Sequence, residues 1–318
     1  MSASPVPAVF AVIVTYNRKE LLLRCLQAMR AQARRPDRVI VVDNASTDGT
    51  PQALHDAGWL DQVDVELLQL TDNTGGAGGF AAGMARALDL GAQWVWVMDD
   101  DALPQPEALA ALCAVGLDPE SVYGSVAIDG GALSWPMERQ DTPKRERIET
   151  LAQAPALCEV RFIPFLGLMA SRQLTERIGL PDPSFFLAVD DVEFCLRARR
   201  AGARIRLVSS SRIEHPRAQL TCVRFGWRRF YNLRLVPWKR YYDVRNRLVV
   251  ARRHYGAALW YSTLPGTLLR LLITLATEPE RAGQWRAFVG GVVDGLLDRR
   301  GRRHERWLAG VGTAVRNR

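Results

Sequence analysis

The stretch 93–104 reads QWVWVMDDDALP: an unbroken apolar run, Trp94–Met98, then the consecutive aspartates Asp99, Asp100 and Asp101. Apolar runs without alternation suit strands covered on both faces, as in a parallel sheet. Three like charges side by side at the end of such a strand repel one another, and burial raises the cost of ionising each. A cation has to face them, either a divalent metal or basic side chains.

Upstream, similar β-branched runs occur at AVFAVIVT (8–15), RVIVVD (38–43) and VELLQL (65–70). Between them lie ELLLRCLQAMRAQ, TPQALHDAG and FAAGMARALDLG, all with helical spacing. Strands alternating with helices of this length predict βαβ units and an α/β fold with a mostly parallel sheet. Ser46 or Thr47, followed by Asp48-Gly49 and Pro51, reads as a turn into a helix. Residues 129–155 are rich in Gly, Pro and charge and read as an excursion over the surface. A helix at 190–202, a short strand at 204–209 and three helices at 240–255, 257–277 and 280–299 complete the expectation.

Charge divides the chain. Residues 1–216 hold 21 basic and 28 acidic side chains, and residues 217–318 hold 21 and 6, a net of +15. The basic part predicts an anionic partner, a phospholipid surface or nucleic acid, against the plain alternative of a solvated helical surface. No recognised nucleic-acid-binding motif occurs. The segment LWYSTLPGTLLRLLITLA (259–276) contains Pro265, Gly266 and Arg270, so it is read as lying at a bilayer interface or packing on the protein rather than spanning. The five cysteines are scattered, with no CxxC spacing, and predict reduced thiols in a cytoplasm. VFAVIV, with no basic segment before it, is too short for a secretion signal and reads as the first buried strand.

Two readings compete for the aspartates. GAGGFA (76–81) matches GxGxxA before a helix, which admits a dinucleotide (NAD) site. Against it, a full βαβ unit precedes the motif, and a ribose contact needs one carboxylate rather than three. The second reading is a divalent cation, Mg²⁺ or Mn²⁺, bridging the diphosphate of a nucleotide-sugar at the carboxyl end of a parallel strand. If the chain stays extended past the strand, Asp99 and Asp101 point the same way and Asp100 the other. One aspartate can also serve as a helix N-cap. A second acidic cluster, Asp190, Asp191 and Glu193 in SFFLAVDDVEF, again follows an apolar run at a helix start. Mutual repulsion of Asp190 and Asp191 raises their pKa values, as suits a base for an acceptor hydroxyl; N-capping and pairing with Arg197 or Arg199 is the alternative. His215, in IEHP after the short strand, is a candidate metal ligand because it follows both acidic clusters.

The string VIVTYNR…VIVVDNASTDGT…NTGGAGGF…WVWVMDDDA…DDVEF…EHP resembles the family-2 inverting glycosyltransferases with the GT-A fold. NTGGAGGFAAG, WVWVMDDD and YYDVRNR (241–247) resemble its bacterial galactofuranosyltransferase and rhamnosyltransferase branch, over residues 8–255. The resemblance implies a GT-A catalytic domain over 1–216, with a nucleotide-binding half at 1–115 and an acceptor half at 116–216. It is followed by a basic, mostly helical region at 217–318. It implies that Thr15, Asn17, Asp43 and Asn44 hold the nucleoside. Asn73 and the backbone of Gly75, Gly76, Gly78 and Gly79 would approach the sugar-diphosphate, with Asp100 beside them. Asp99, Asp101 and His215 would hold Mn²⁺ or Mg²⁺, with Asp99 also facing the donor. Asp191 would be the base, positioned by Asp190. Phe165, Leu166, Gly167 and Glu193 line the acceptor side or belong to the core. Asn44 stands where VDDGS-type relatives carry Asp, so thymine and uracil nucleotides both stay open. UDP-galactofuranose or dTDP-rhamnose is the implied donor, and a glycan or polyprenyl-diphosphate-linked saccharide the acceptor. The protein is expected at the inner face of the plasma membrane, docked through Trp227, Trp238, Trp260, Trp285, Trp307 and the basic surface.

Overall fold

The structure is a computed structural model that describes residues 7–142, 146–225 and 228–308. Two compact units form: one from the chain up to Asp182 together with Asp191–Arg217, the other from Pro183–Asp190 and Ala218 onward.

The first unit begins as its apolar runs predict: β1 (Val9–Thr15), α1 (Lys19–Arg30), β2 (Arg38–Asp43), α2 (Thr50–Asp56), β3 (Val65–Gln69), α3 (Gly75–Asp89) and β4 (Trp94–Asp99). A two-residue strand β5 (Leu103–Pro104) and α4 (Ala108–Ala114) follow, then β6 (Val122–Asp129), β7 (Ala132–Glu138), β8 (Arg147–Thr150), β9 (Leu157–Glu159) and β10 (Leu166–Ser171). Helices α5 (Arg172–Ile178) and α6 (Asp190–Arg200) lead to β11 (Ile205–Glu214). The main sheet runs β3-β2-β1-β4-β10-β6-β11-β5. Strands β3, β2, β1 and β4 are parallel, as are β6 and β11, while β10 lies antiparallel to both β4 and β6.

Strand β1 is buried along its whole length because helices cover both faces. Phe10, Val12 and Val14 pack with Phe80 and Met84 of α3, whereas Val9, Ala11 and Ile13 pack with Leu22, Leu26 and Met29 of α1. The chain returns from β3 to place β4 on the other side of β1, so a topological switch point lies at their carboxyl ends. Register pairs Thr15 with Asp43 and Val14 with Asp99, which brings the ends of β2, β1 and β4 to one rim.

Three differences from the sequence expectation have physical reasons. Helix α3 starts at Gly75, so most of the glycine string lies inside the helix. A Cβ on Gly79 would stand 2.6 Å from Val14, and one on Gly83 2.4 Å from Val12 and 2.7 Å from Val42, so these glycines let α3 rest on the sheet. Ala132–Glu138 and Arg147–Thr150 are paired strands rather than a surface excursion, anchored by buried Leu133, Met137 and Ile148 among exposed charges. Strand β11 extends to Glu214 because the serines of SSSRIE are satisfied: Ser211 shares a 2.7 Å hydrogen bond with Ser125 and donates to the Ala108 carbonyl at 2.8 Å.

The second unit contains the hairpin β12 (Leu220–Phe225) and β13 (Arg228–Leu233), which the sequence reading did not anticipate. Helices α7 (Pro237–His254), α8 (Leu264–Thr277) and α9 (Arg281–Leu296) follow, with a π turn at Leu259–Thr263 ahead of α8 and a short α10 (Glu305–Leu308). Gly291 and Gly295 of α9 sit against α7, where a Cβ would come within 2.9 Å of the Tyr241 and Arg245 carbonyls. Arg240 is fully buried and donates to Glu278 at 2.8 Å; Asn232, Gln284 and the Leu235 amide occupy the other sites of that carboxylate. Within 259–276, Leu259, Leu271 and Ile273 are buried while Tyr261, Pro265, Leu268, Leu272 and Ala276 form an exposed stripe. Among the described residues, no helix is long and apolar enough to cross a membrane.

Candidate active site

The aspartates end up with separate surroundings because the chain does not stay extended after β4. It turns at once, with the Ala102 amide donating to the Asp99 carbonyl at 3.2 Å. Asp99 remains on the rim. Asp100 folds inward, 3% exposed, and accepts a 2.7 Å hydrogen bond from Thr15 Oγ1. Asp101 faces His215, whose Nε2 lies 3.3 Å from Oδ1. His215 arrives there because β11 is parallel to β6 and its carboxyl end reaches the same rim.

Arg18, which follows β1, bridges the two inner carboxylates: Nη1 donates to Asp101 Oδ2 at 2.9 Å and to Asp100 Oδ1 at 3.3 Å. The sequence reading named a basic side chain as one possible counter-charge but did not identify this one. Its signal was a lone arginine in TYNR, at the carboxyl end of the first strand. Burial opposes the charge on Arg18, but Asp100 and Asp101 outweigh it and raise its pKa. Burial pushes the Asp100 carboxyl up to about 6, against the pull of Arg18 and Thr15. Asp101 is also desolvated, yet His215 and Arg18 together hold it below the ordinary carboxylate range.

Loops from β1, β2 and β3 interlock around this centre. Asn17, at φ 54°, accepts from the Thr47 amide at 2.6 Å, and its own amide donates to Ser46. Asp43 accepts from the Ser46 amide at 3.0 Å. Asn44, 2% exposed, donates to the Gly75 carbonyl at 2.9 Å and accepts from the Thr74 amide at 2.9 Å. Asn73 accepts from the Gly75 amide at 2.8 Å. Asn44 and Asn73 therefore shape the entry to α3, where Gly75 takes φ +73° and Gly76 and Gly78 open the helix. Thr15, Asp43, Asn44, Asp100, Asp101 and His215 are thus gathered at one rim.

Leu166 pairs with Met98, one residue before Asp99, so the start of β10 reaches the same rim. Asp190 is buried and Asp191 half-buried in the first turn of α6, where Asp191 Oδ1 accepts from the Val192 amide at 2.7 Å. Leading into that turn, Phe186, Ala188 and Val189 all have positive φ, 64°, 66° and 68°. Such angles cost a residue with a Cβ about 1–3 kcal/mol each and collect at functional segments. Glu193 pairs with Arg197 at 2.8 Å, and that guanidinium also donates to the Ile178, Gly179 and Leu180 carbonyls. Phe165 is a core ring against Phe80 and Phe194 at 4.7 and 5.9 Å, and Leu166 is equally buried. Gly167, at φ +92°, accepts from Trp96 Nε1 at 3.2 Å. Trp227 lies outside the described residues.

The donor set suits a hard divalent ion. Asp101 Oδ1 faces His215 Nε2 at 3.3 Å, His215 Nδ1 is buried without a hydrogen-bond partner, and the carboxylate oxygens match the hard-ligand preference of Mn²⁺ or Mg²⁺. Among the described residues, no three His, Cys, Asp or Glu side chains stand together as a complete site.

Residues 10–179 match the family model Glycosyl transferase family 2. The chain is 34% identical over 219 residues to galactofuranosyltransferase GlfT1 of Mycobacterium tuberculosis, covering 66% of this chain and 70% of that protein. It is 25% identical over 295 residues to the dTDP-rhamnosyl transferase RfbF of Shigella flexneri, covering 91% and 95%. Among solved structures it resembles the mannosyltransferase PcManGT of Pyrobaculum calidifontis, in complex with GDP-Man and Mn²⁺. The TM-score is 0.56 at 18% identity, over 92% of this chain and 88% of that one. The mostly parallel sheet with its antiparallel β10 has the GT-A fold, and a helical C-terminal region follows it. The glycine string GAGGFA accordingly belongs to a glycosyltransferase rather than a dinucleotide-binding enzyme, and the chain is a member of glycosyl transferase family 2.

Proposed function

We propose that the protein is a metal-dependent inverting glycosyltransferase that moves galactofuranose from UDP-galactofuranose to a glycan or a polyprenyl-diphosphate-linked saccharide. The carrying observation is the rim itself: Asp100 and Asp101 converge with Thr15 and His215 at a switch point in a family-2 chain. Galactofuranose is favoured over rhamnose because the GlfT1 relatives match at 34% identity and RfbF at 25%; dTDP-rhamnose is the second reading.

In this reading residues 1–216 carry the chemistry. Thr15, Asn17, Asp43 and Asn44 bind the nucleoside, and Asn73 with the α3 entry meets the diphosphate. Asp99, Asp101 and His215 hold Mn²⁺ or Mg²⁺, which when bound offsets the negative charge growing on the leaving nucleoside diphosphate. Asp191 accepts the proton of the acceptor hydroxyl as its oxygen attacks the anomeric carbon. The carbon–oxygen bond to the diphosphate breaks on the opposite face, so configuration inverts. Residues 217–318, with the exposed Tyr261–Leu272 stripe, Trp260 and Trp285 beside Arg281 and Arg286, dock on the anionic inner leaflet of the plasma membrane.

The test offers UDP-galactofuranose and dTDP-rhamnose separately with Mn²⁺ and a synthetic glycan acceptor, with and without EDTA. Release of UDP, abolished by EDTA, is the expected result. Calorimetric binding of NAD with no binding of UDP or dTDP would sink the reading.

A further inference from the structure

The segment Pro183–Asp190 belongs to the second unit, and two adjacent residues of α7 shape it. Asn246, 1% exposed, donates through its one amide nitrogen to three carbonyls: Phe185 at 3.0 Å, Leu187 at 2.7 Å and Ala188 at 2.8 Å. Its Oδ1 accepts from Arg245 Nε at 2.8 Å, which fixes the amide with its N–H groups toward the segment. Arg245 is itself fully buried and donates through Nη2 to the Phe185 carbonyl at 2.6 Å and to Ser184 at 3.3 Å. Its guanidinium lies over the Tyr242 ring at 4.8 Å, and Phe186 stacks on the same ring at 4.9 Å.

A buried guanidinium whose donors serve backbone carbonyls is expensive to keep, so its use needs a reason. The backbone it serves supplies one. Phe186, Ala188 and Val189 hold left-handed angles that residues with a Cβ resist, and a β-branched valine resists most. Those angles turn the Phe185, Leu187 and Ala188 carbonyls toward a single amide. Relaxation of any one of the three breaks the convergence, and without the amide the three relax. The next two residues are Asp190 and Asp191, the first of α6.

We propose that Arg245 and Asn246 are positioning residues for this acidic pair: they hold Phe186, Ala188 and Val189 at left-handed angles and thereby set the direction in which Asp190 and Asp191 enter α6. The inference rests on the assignment of Asp191 as the base. It gives the RN of YYDVRNR a role distinct from packing α7, since a packing role has no reason to depend on the backbone freedom of residues 188 and 189.

The experiment compares Asn246→Ala, the pair Ala188→Gly/Val189→Gly, and the triple variant, all in the full chain. Three quantities are read: hydrogen exchange of the 186–192 amides, kcat and KM for sugar transfer, and calorimetric affinity for UDP with Mn²⁺. Asn246→Ala is expected to lose protection at 186–192 and about thirtyfold or more in kcat, with UDP affinity unchanged. The glycine pair alone stays near wild type, and in the triple variant it restores about tenfold of the loss, because glycine reaches the left-handed path unaided. Wild-type kcat in Asn246→Ala, or no restoration by the glycines, overturns the proposal. Should Asn246→Ala not fold, Asn246→Asp keeps the volume and the acceptor for Arg245 without the N–H groups and is read the same way. If the wild-type protein transfers no sugar, the proposed function falls while the exchange readout still decides the clamp: unchanged protection in the variant overturns it.

Discussion

In the first unit Arg18 meets Asp100 and Asp101 at the ends of strands, with its own side chain 35% exposed and His215 Nε2 3.3 Å from Asp101 Oδ1. In the second unit Arg240 meets Glu278 with neither side chain exposed by more than 2%, and both carboxylate oxygens accept from neighbours. Both are desolvated ion pairs, and they differ in solvent access at the arginine: Arg18 is 35% exposed and Arg240 not at all. A carboxylate beside a solvent-reaching arginine is accessible to a further ligand, whereas Glu278, with both oxygens engaged in the interior, is not. The difference in access separates a rim that a ligand can reach from a pair sealed in the interior.

Variants can break or sharpen this contrast. Asp101→Ala is expected to lower turnover about a thousandfold or more, several kcal/mol of transition-state stabilisation, with the unfolding midpoint nearly unchanged. Turnover within a factor of ten of wild type at saturating Mn²⁺ would remove Asp101 from the site. Glu278→Ala reverses the pattern: stability falls by about 3–5 kcal/mol because Arg240 loses its counter-charge in the interior. Urea unfolding reads that loss, and an apolar pair at 240 and 278 should recover much of it. An undiminished midpoint in the single variant would mean that the pair is not a structural anchor.

A smaller effect concerns Asp100. Its folded carboxyl is raised to about 6 from 3.8, so the folded state holds a proton that the unfolded chain releases between those values. The contribution of this group is therefore full below pH 3.8 and is lost as pH rises through about 6, a change of about 2–3 kcal/mol. Metal-free Asp100→Asn should abolish that part of the pH dependence in unfolding curves at pH 4.5 and 7.5. Equal pH dependence in the two proteins would contradict it. Smallest is the membrane contact: Leu272→Glu should weaken co-sedimentation with anionic vesicles about tenfold while leaving turnover on a soluble acceptor intact. Unaltered co-sedimentation would assign docking to another surface.

Much of the fold was legible because β1, β2 and β4 are apolar runs buried on both faces, a pattern that few alternatives share. Strands β7, β8, β12 and β13 were missed because their buried positions, such as Leu133 and Ile148, are single apolar residues among charges. At the site the acidic triplet was visible, but its geometry was not. The turn after Asp99 depends on a local hydrogen bond, and the pairing of Asp101 with His215 depends on sheet order. Arg18 escaped because a single arginine after a strand carries no periodicity. The positive φ values at Phe186, Ala188 and Val189 escaped because nothing in FLAV suggests them; the donors that meet the carbonyls of this segment come from Asn246 in α7, far along the chain.

Strand β11 sits between β6 and β5 and delivers His215 to a carboxylate more than a hundred residues earlier in the chain. During synthesis the amino-terminal βαβ units can pair while the ribosome is still working, but the rim stays incomplete until β11 has docked. Contacts of such long sequence separation form slowly, since chain entropy must be lost before they stabilise anything. The nascent chain therefore acquires its sheet before its chemistry, and any metal affinity that depends on His215 should appear late and abruptly as the emerging chain lengthens past residue 215.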